Sequence, residues 1–460
     1  MFFEVSVSLT SKKPSVSTLV PRSTSVGDTD AHHKDAWIPM EKTRQVLVAN
    51  ATAPPGTYNP DIEMLTMPGV LLDEDVEDEI GEPTIVCCRE AKAGCNKGKL
   101  TPSSSTNERR LRDLVKIGAY GAAINHTAMM LSFYGQGRGR QGHRTTHSPQ
   151  SLQLWYTRLA LLVKTKSFAV AQAEAQPFSQ LEKPDVFYQY YPDQYGGRTG
   201  SMASFSFRLL LAEMPMLCGK PKDSLRKLFC MWATIKKMLN NLNKGLCEDG
   251  SSQVSDKNDK SDSLKLWSGR EVKIIYSIIN CACAMKDYSL AIELLGQLCD
   301  REGAPKSALY SALGRLHLQT GNISAAEVCF NESSVFGASC VRELIDKGLL
   351  AIAQENYEDA CIYLQRASSL DPNNIMILNN LSVCLFHGGR SKEAITVLEA
   401  VISSNPIDTL HESIILNLCA LYDLASSKGI MRKFALLRQL SKYSADAPAH
   451  LLQKLYSQQS

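Results

Sequence analysis

The chain has 460 residues, 44% of them hydrophobic, enough for two or three domains or one long repeat array with a sizeable core. Its 50 Lys and Arg against 47 Asp and Glu leave a net charge of +3, which excludes a global field that draws the protein to nucleic acid or to an anionic membrane. No run approaches the roughly 18 apolar residues needed to cross a bilayer, and MFFEVSVSLTSKKPS places its apolar residues before its lysines, the reverse of a secretory signal, so a cytosolic location is expected.

Residues 1–106 come first. Ser, Thr, Pro, Gly and charges alternate there, with an acidic block from Asp73 to Glu79 and a basic, Gly-rich stretch after it. Little apolar surface offsets the entropy of ordering, so this region is expected to be disordered and removable by proteolysis. Within it AGCNKGKLT, Ala93 to Thr101, nearly spells a phosphate-binding loop. Leu100 stands where Ser or Thr must hold magnesium, and no helix follows to aim its N-terminus at phosphate. Cys87, Cys88 and Cys95 lack the spacing of a zinc site, and no metal or cofactor is expected.

From about Leu111 onward apolar residues recur three and four apart and strand-like alternation is scarce, which predicts an all-helical body. Residues 107–246 read as an irregular helical-repeat region. IGAYGAAINHTAMML and LCGKPKDSLRKL have the form of second helices with their preceding turns, and Trp155, Phe168 and Ala171 take the fourth, seventeenth and twentieth positions of another unit. GQGRGRQGHR, Gly135 to Arg144, could clamp phosphates, but with Tyr134 as its one nearby aromatic it reads better as a solvated loop. The most distinctive stretch is KPDVFYQYYPDQYGGRTGSM. Its Phe187, Tyr188, Tyr190, Tyr191 and Tyr195 suit either a loop packed on the helices by its rings or a partner-binding patch, since clustered Tyr and Arg make good hot spots. A polar linker, 247–262, then divides the helical part in two.

From 263 to 460 the chain matches itself at a shift of 34. Ala326, Ala360 and Ala394 are in register, as are Tyr310, Leu344 and Leu378; Gly314, Gly348 and Ser382; and Phe330, Leu364 and Leu398. Pro372 and Pro406 close two units, whereas 307–340 lacks a closing Pro. Tyr288 and Ala291 extend the pattern upstream with a step of 35, and Leu410 to Leu440 reads as a final pair, five units in all. This is the tetratricopeptide pattern, in which each unit is a pair of antiparallel helices. A small residue at the eighth position lets the helices approach, Ala at the twentieth admits the next unit, and Phe330, Leu364 or Leu398 fills the gap between them. The predicted fold is an all-α tetratricopeptide-repeat superhelical solenoid with a disordered N-terminal region. Cys281, Cys283, Cys329, Cys361, Cys384 and Cys419 lie inside the helical patterns as small hydrophobes, so reduced thiols are expected.

No HExxH, GxSxG, GxGxxG or kinase-like set appears and the nine His are scattered, so no enzyme is expected. A chaperone-binding clamp would need Lys, Asn and Arg at the fifth and ninth positions of successive first helices. Those positions hold Ser311 and Arg315, Ile345 and Leu349, then Asn379 and Val383, and the clamp is absent.

LQLWYTRLALLVKTKSF, the Tyr-rich segment with RTGSM after it, and LHESIILNLCALYDLASS together resemble the subunit 12 family of the transport protein particle (TRAPP) complex, over about residues 110–460. The resemblance implies a non-catalytic helical-repeat scaffold of a TRAPP III-like tethering assembly. Its implied partners are other TRAPP subunits and, through them, a Rab-type GTPase, with no nucleic acid and no insertion into membrane. Endoplasmic-reticulum-to-Golgi traffic and autophagy are the implied processes, with peripheral association to those membranes from the cytoplasm. The alternative is a free-standing repeat adaptor or co-chaperone.

Overall fold

The computed structural model describes residues 37–53, 64–70, 104–252 except 138 and 141, and 257–443 except 405, 411 and 426–428. Among the described residues the regular elements are helices and short helical turns, with one isolated antiparallel bridge between Phe187 and Ser201. The all-α expectation holds. The chain divides into two compact units after Met285.

The first unit contains α1 (Glu41–Thr52), α2 (Ser104–Ile117), α3 (Tyr120–Ser132), α4 (Pro149–Lys164), α5 (Phe168–Ala175), α6 (Phe205–Leu217), α7 (Pro221–Asn243) and α8 (Lys257–Ala284). The polar run at 247–262 does not separate the units as expected. It joins α7 to α8, which pack against each other, and residues 257–262 already belong to α8. Two pieces of the polar N-terminal region are also built into this unit: Trp37, Leu47, Leu65 and Val70 are all buried. Lone apolar residues in polar surroundings carry no periodicity, so the sequence pattern did not mark them.

The start of α4 follows from local chemistry. Ser148 accepts from the Ser151 amide and Ser151 from the Ser148 amide, a reciprocal capping box, with Pro149 in the first turn. The turn from α4 into α5 then sets Lys166 at φ 60°, and the next amide, Ser167 N, bonds back to Leu162 O at 2.9 Å. The second unit repeats this turn. It contains α9 (Tyr288–Cys299), α10 (Lys306–Gln319), α11 (Ile323–Val335), α12 (Cys340–Ala353), α13 (Tyr357–Leu370), α14 (Ile375–His387), α15 (Ser391–Ser404), α16 (Glu412–Ala425) and α17 (Gly429–Tyr443). Gly321, Glu355 and Gly389 carry positive φ, and the amides after them bond to His317, Ala351 and Leu385 carbonyls. A left-handed residue that ends one helix and admits the next is thus common to the regular pairs and to the irregular α4–α5 pair. α5 is cut short because Pro177 cannot continue it.

The 34-residue register is visible in three dimensions. α11, α13 and α15 begin at Ile323, Tyr357 and Ser391, and the fourth residue of each, Ala326, Ala360 and Ala394, is wholly buried. A Cβ at Gly314 would lie 2.5 Å from Phe330 Cε1, and one at Gly348 would lie 3.1 Å from Leu364 Cγ. At the third equivalent position Ser382 is buried and donates to the Ala394 carbonyl at 3.1 Å. Gly314→Ala is therefore expected to cost about 1–3 kcal/mol by overpacking. Adding Phe330→Leu should recover most of that loss, as read by urea unfolding; an additive double variant would contradict the pairing.

Candidate functional site

The chain leaves the helical pairing after α5 and returns at α6, whose Ser204 cap accepts from Phe207 N. The excursion between them is the Tyr-rich segment, and it is the receptor for the N-terminal pieces. Glu182 accepts from the Trp37 indole N–H at 2.8 Å, from Met40 N at 3.3 Å and from Arg208 Nη1 at 3.0 Å, and its carbonyl accepts from the Thr43 hydroxyl. The Arg208 guanidinium lies 4.6 Å from the Trp37 ring centre and also donates to Ser201 Oγ at 2.8 Å. Lys183 Nζ donates to Leu65 O at 2.8 Å, and Asn50 donates to the Tyr190 carbonyl at 3.0 Å. Asp185 takes Thr66 N at 2.7 Å on one oxygen and the Thr66 hydroxyl at 3.2 Å on the other.

His147 Nε2 lies 3.6 Å from Asp185 Oδ2, both groups buried. Burial raises the Asp185 carboxyl to about 7, against the pull of the Thr66 bonds and Lys183. Burial lowers the His147 imidazole to about 4. The consequences oppose each other. His147 folds with a value below its ordinary 6.5, so its contribution to stability is lost as pH falls from about 6.5 toward about 4. Asp185 folds with a value above its ordinary 3.8, so its contribution is lost as pH rises from about 3.8 toward about 7. Asp185→Asn removes the opposing slope of Asp185 and leaves that of His147, at most about 1.4 kcal/mol per pH unit. The melting midpoint of that variant is expected to fall more steeply with acid between about pH 6.5 and about pH 4 than that of the unsubstituted chain; parallel curves would contradict a raised Asp185 carboxyl in the folded chain.

The five aromatic residues singled out in the sequence do come together, but mainly on one another. Tyr188 meets Tyr195 edge-on at 5.1 Å, Tyr190 meets Tyr191 edge-on at 4.9 Å, and Arg198 sits 5.7 Å over Tyr188. Phe187 is wholly buried in the same core as Val186 and Phe207, so its assignment as a partner contact is corrected: no surface of it reaches solvent. Tyr191 is also turned inward, its hydroxyl accepting from the His147 amide at 3.1 Å and its phenol raised well above the ordinary value by burial. Tyr188, Tyr190, Tyr191 and Tyr195 all keep partial exposure.

Other candidates fall out differently. AGCNKGKLT, the acidic block and Cys87, Cys88 and Cys95 lie outside the described residues. GQGRGRQGHR is not simply a solvated loop, because Gln136 is fully buried, accepts from the Trp155 indole at 2.8 Å and donates to Thr146 O at 3.0 Å. The positions a chaperone clamp would use are occupied internally. Ser311 donates to Asp346 at 2.9 Å, Arg315 pairs with it at 3.2 Å, and Ile345 and Leu349 are buried. Burial pushes the Cys384 thiol up to about 12 and the Cys419 thiol up to about 11, which removes thiolate chemistry from both. Among the described residues no three His, Cys, Asp or Glu side chains gather at a metal-binding distance, and no helix is long and apolar enough to cross a membrane. Sequence reasoning missed Trp37, Thr66, His147, Glu182, Asp185 and Arg208; the one local signal was the charged LEKPD run just before the tyrosines.

A tetratricopeptide-repeat family model matches residues 351–412. The chain is 35% identical over 419 residues to the Homo sapiens protein named trafficking protein particle complex subunit 12, and 35% identical over 420 residues to the Mus musculus protein of that name. Each match covers 90% of this chain but 57% and 53% of the relatives, so the chain spans little more than half of their length. Among solved structures, a tetratricopeptide repeat protein from Parabacteroides merdae aligns with 67% of this chain and 98% of its own length, at 12% identity and a TM-score of 0.37, a likeness too loose to bear on function.

Proposed function

From the chain's resemblance to subunit 12 of the TRAPP complex, we propose that it is a non-catalytic scaffold or adaptor subunit of a TRAPP III-like vesicle-tethering complex. The observation that carries this reading is the length of the match. With 419 aligned residues it extends well beyond the tetratricopeptide array into the first unit, where helical repeats alone give no reason for likeness. In this reading the protein is held by other TRAPP subunits and acts through them on a Rab-type GTPase, in endoplasmic-reticulum-to-Golgi traffic and autophagy. It works from the cytoplasm, at the membrane periphery. The exposed parts of Tyr188, Tyr190, Tyr191 and Tyr195 are candidate contacts, since half-buried tyrosines lose little entropy on binding.

A free-standing repeat adaptor or co-chaperone is the second reading, and the internal pairing of Ser311 and Arg315 with Asp346 speaks against its chaperone form. The assay that bears on the absence of catalysis is fluorescent-nucleotide release. The purified chain alone is expected neither to hydrolyse GTP nor to speed nucleotide exchange on a Rab-type GTPase. Acceleration by the isolated chain would contradict the scaffold reading.

A further inference from the structure

A cleft of about 420 Å³ opens on the second unit where α10 begins and the chain turns from α11 into α12. Lys306 and Ser307 reach it from the first turn of α10, Phe336 from the turn and Arg342 from the first turn of α12, and its other lining residues are Ala or Pro. Arg342 Nη1 donates to Ser307 Oγ at 3.3 Å. The Phe336 ring stacks on Tyr310 at 5.5 Å with the planes 4° apart, and Lys306 Nζ lies 5.2 Å from its centre. Phe336 nevertheless stays 44% exposed, and Val335 beside it 77%.

Packing of the array does not account for these residues. The side chains that pair the helices recur every 34 positions, whereas Cys340, Val341, Leu370 and Met376 stand one unit on from Lys306, Ser307, Phe336 and Arg342, and Asn374, Ile375, Ser404 and Leu410 stand two units on. Of these three units, one alone sets two cations beside an aromatic wall. Among the described residues that line the cleft there is no Asp or Glu. The acids that follow Arg342 on α12 are engaged elsewhere, Glu343 with Lys347 at 2.6 Å and Asp346 with Arg315 at 3.2 Å. A carboxylate in the cleft would balance one of the two positive charges. A phosphate monoester carries about −1.5 to −2 at neutral pH and three acceptor oxygens, which balances both and leaves an oxygen for the Ser307 hydroxyl. The open ring beside the cations suits an apolar side chain next to the phosphate.

We propose that this cleft binds a phosphorylated side chain of another polypeptide, the phosphate held by Lys306, Arg342 and the Ser307 hydroxyl and the neighbouring apolar residue laid on Phe336. The inference rests on the reading of the chain as a protein that works by binding others, and it names the chemical form of one such partner.

The test is a fluorescence-anisotropy titration of the full chain with a short Gly-rich peptide in which phosphoserine precedes leucine, and with its forms carrying Ser or Asp for the phosphoserine or Gly for the leucine. The chain is expected to bind the phosphoserine-leucine peptide saturably and at least tenfold more tightly than the Ser and Asp forms. Lys306→Asn with Arg342→Met, which installs residues the array itself carries two units and one unit on, should abolish that preference. Arg366→Gln with Lys392→Asn removes the same charge from exposed positions elsewhere in the array and should leave it. Phe336→Ser should bring the leucine form down to the affinity of the glycine form. No saturable binding, equal binding of the Ser or Asp form, or an equal loss in Arg366→Gln with Lys392→Asn would each overturn the proposal, the first two without recourse to any variant. Orthophosphate competing at the concentration at which the peptide itself binds would assign the cleft to free phosphate and overturn the polypeptide partner. Because the titration contains no TRAPP subunit, its failure removes the cleft and leaves the subunit reading intact, whereas failure to recover TRAPP subunits from cells does the opposite.

Discussion

Ala360→Arg is expected to collapse the repeat array locally and to cost about 3 kcal/mol or more. Ala360 is wholly buried on α13, in one apolar cluster with Ile345, Leu349, Leu364 and Ile377 from α12, α13 and α14. A guanidinium placed there displaces packed carbon and brings a charge into an apolar cluster. In a unit of this size each kcal/mol moves the midpoint by about 2–4 °C, so a fall of roughly 6 °C or more should appear in circular dichroism melting. Ile362→Arg, two residues along the same helix but 52% exposed, is the control and should stay within about 0.5 kcal/mol. An unchanged midpoint for Ala360→Arg would contradict the register of the whole array.

Glu174→Ala is expected to be of similar size in the first unit, for an electrostatic reason. Arg158 Nε and Nη2 reach the two Glu174 oxygens at 2.6 and 2.7 Å, Arg158 Nη1 donates to Ile124 O at 2.7 Å, and both residues are buried. The fork ties α4 to α5 and to α3. Removing the carboxylate strands a buried guanidinium, a loss of about 3–5 kcal/mol. Replacing both members, Arg158→Met with Glu174→Leu, removes the charge together with its partner and should restore most of the stability, since a well-packed apolar pair often matches a buried ion pair. Urea midpoints of the single and double variants decide the matter. A double variant as unstable as the sum of its parts would show that the pair does more than neutralise itself.

The part of the fold that was legible in the sequence is the part that repeats. Gly314, Ala326 and Phe330 recur as Gly348, Ala360 and Leu364 because each unit meets its neighbour through the same contact, so one local pattern encodes tertiary packing. The first unit offers no such redundancy. Its decisive contacts join residues far apart in the chain: Trp37 to Glu182 across 145 residues, Thr66 to Asp185 across 119. Neither member of these pairs announces the other. Trp37 and Thr66 lie in tracts whose composition reads as unstructured, and the Tyr-rich stretch reads equally as packing or as a binding patch. The structure divides that second ambiguity by residue, sending Phe187 and the Tyr191 hydroxyl inward and leaving parts of Tyr188, Tyr190, Tyr191 and Tyr195 outside.

The proposed role, a subunit held in company with other TRAPP subunits, is tested by affinity isolation of the tagged full chain from cells with quantitative mass spectrometry. Enrichment of other large and core TRAPP subunits over a tag-only control is the result predicted. Recovery of chaperones, or of unrelated repeat-binding partners, without any TRAPP subunit would contradict it.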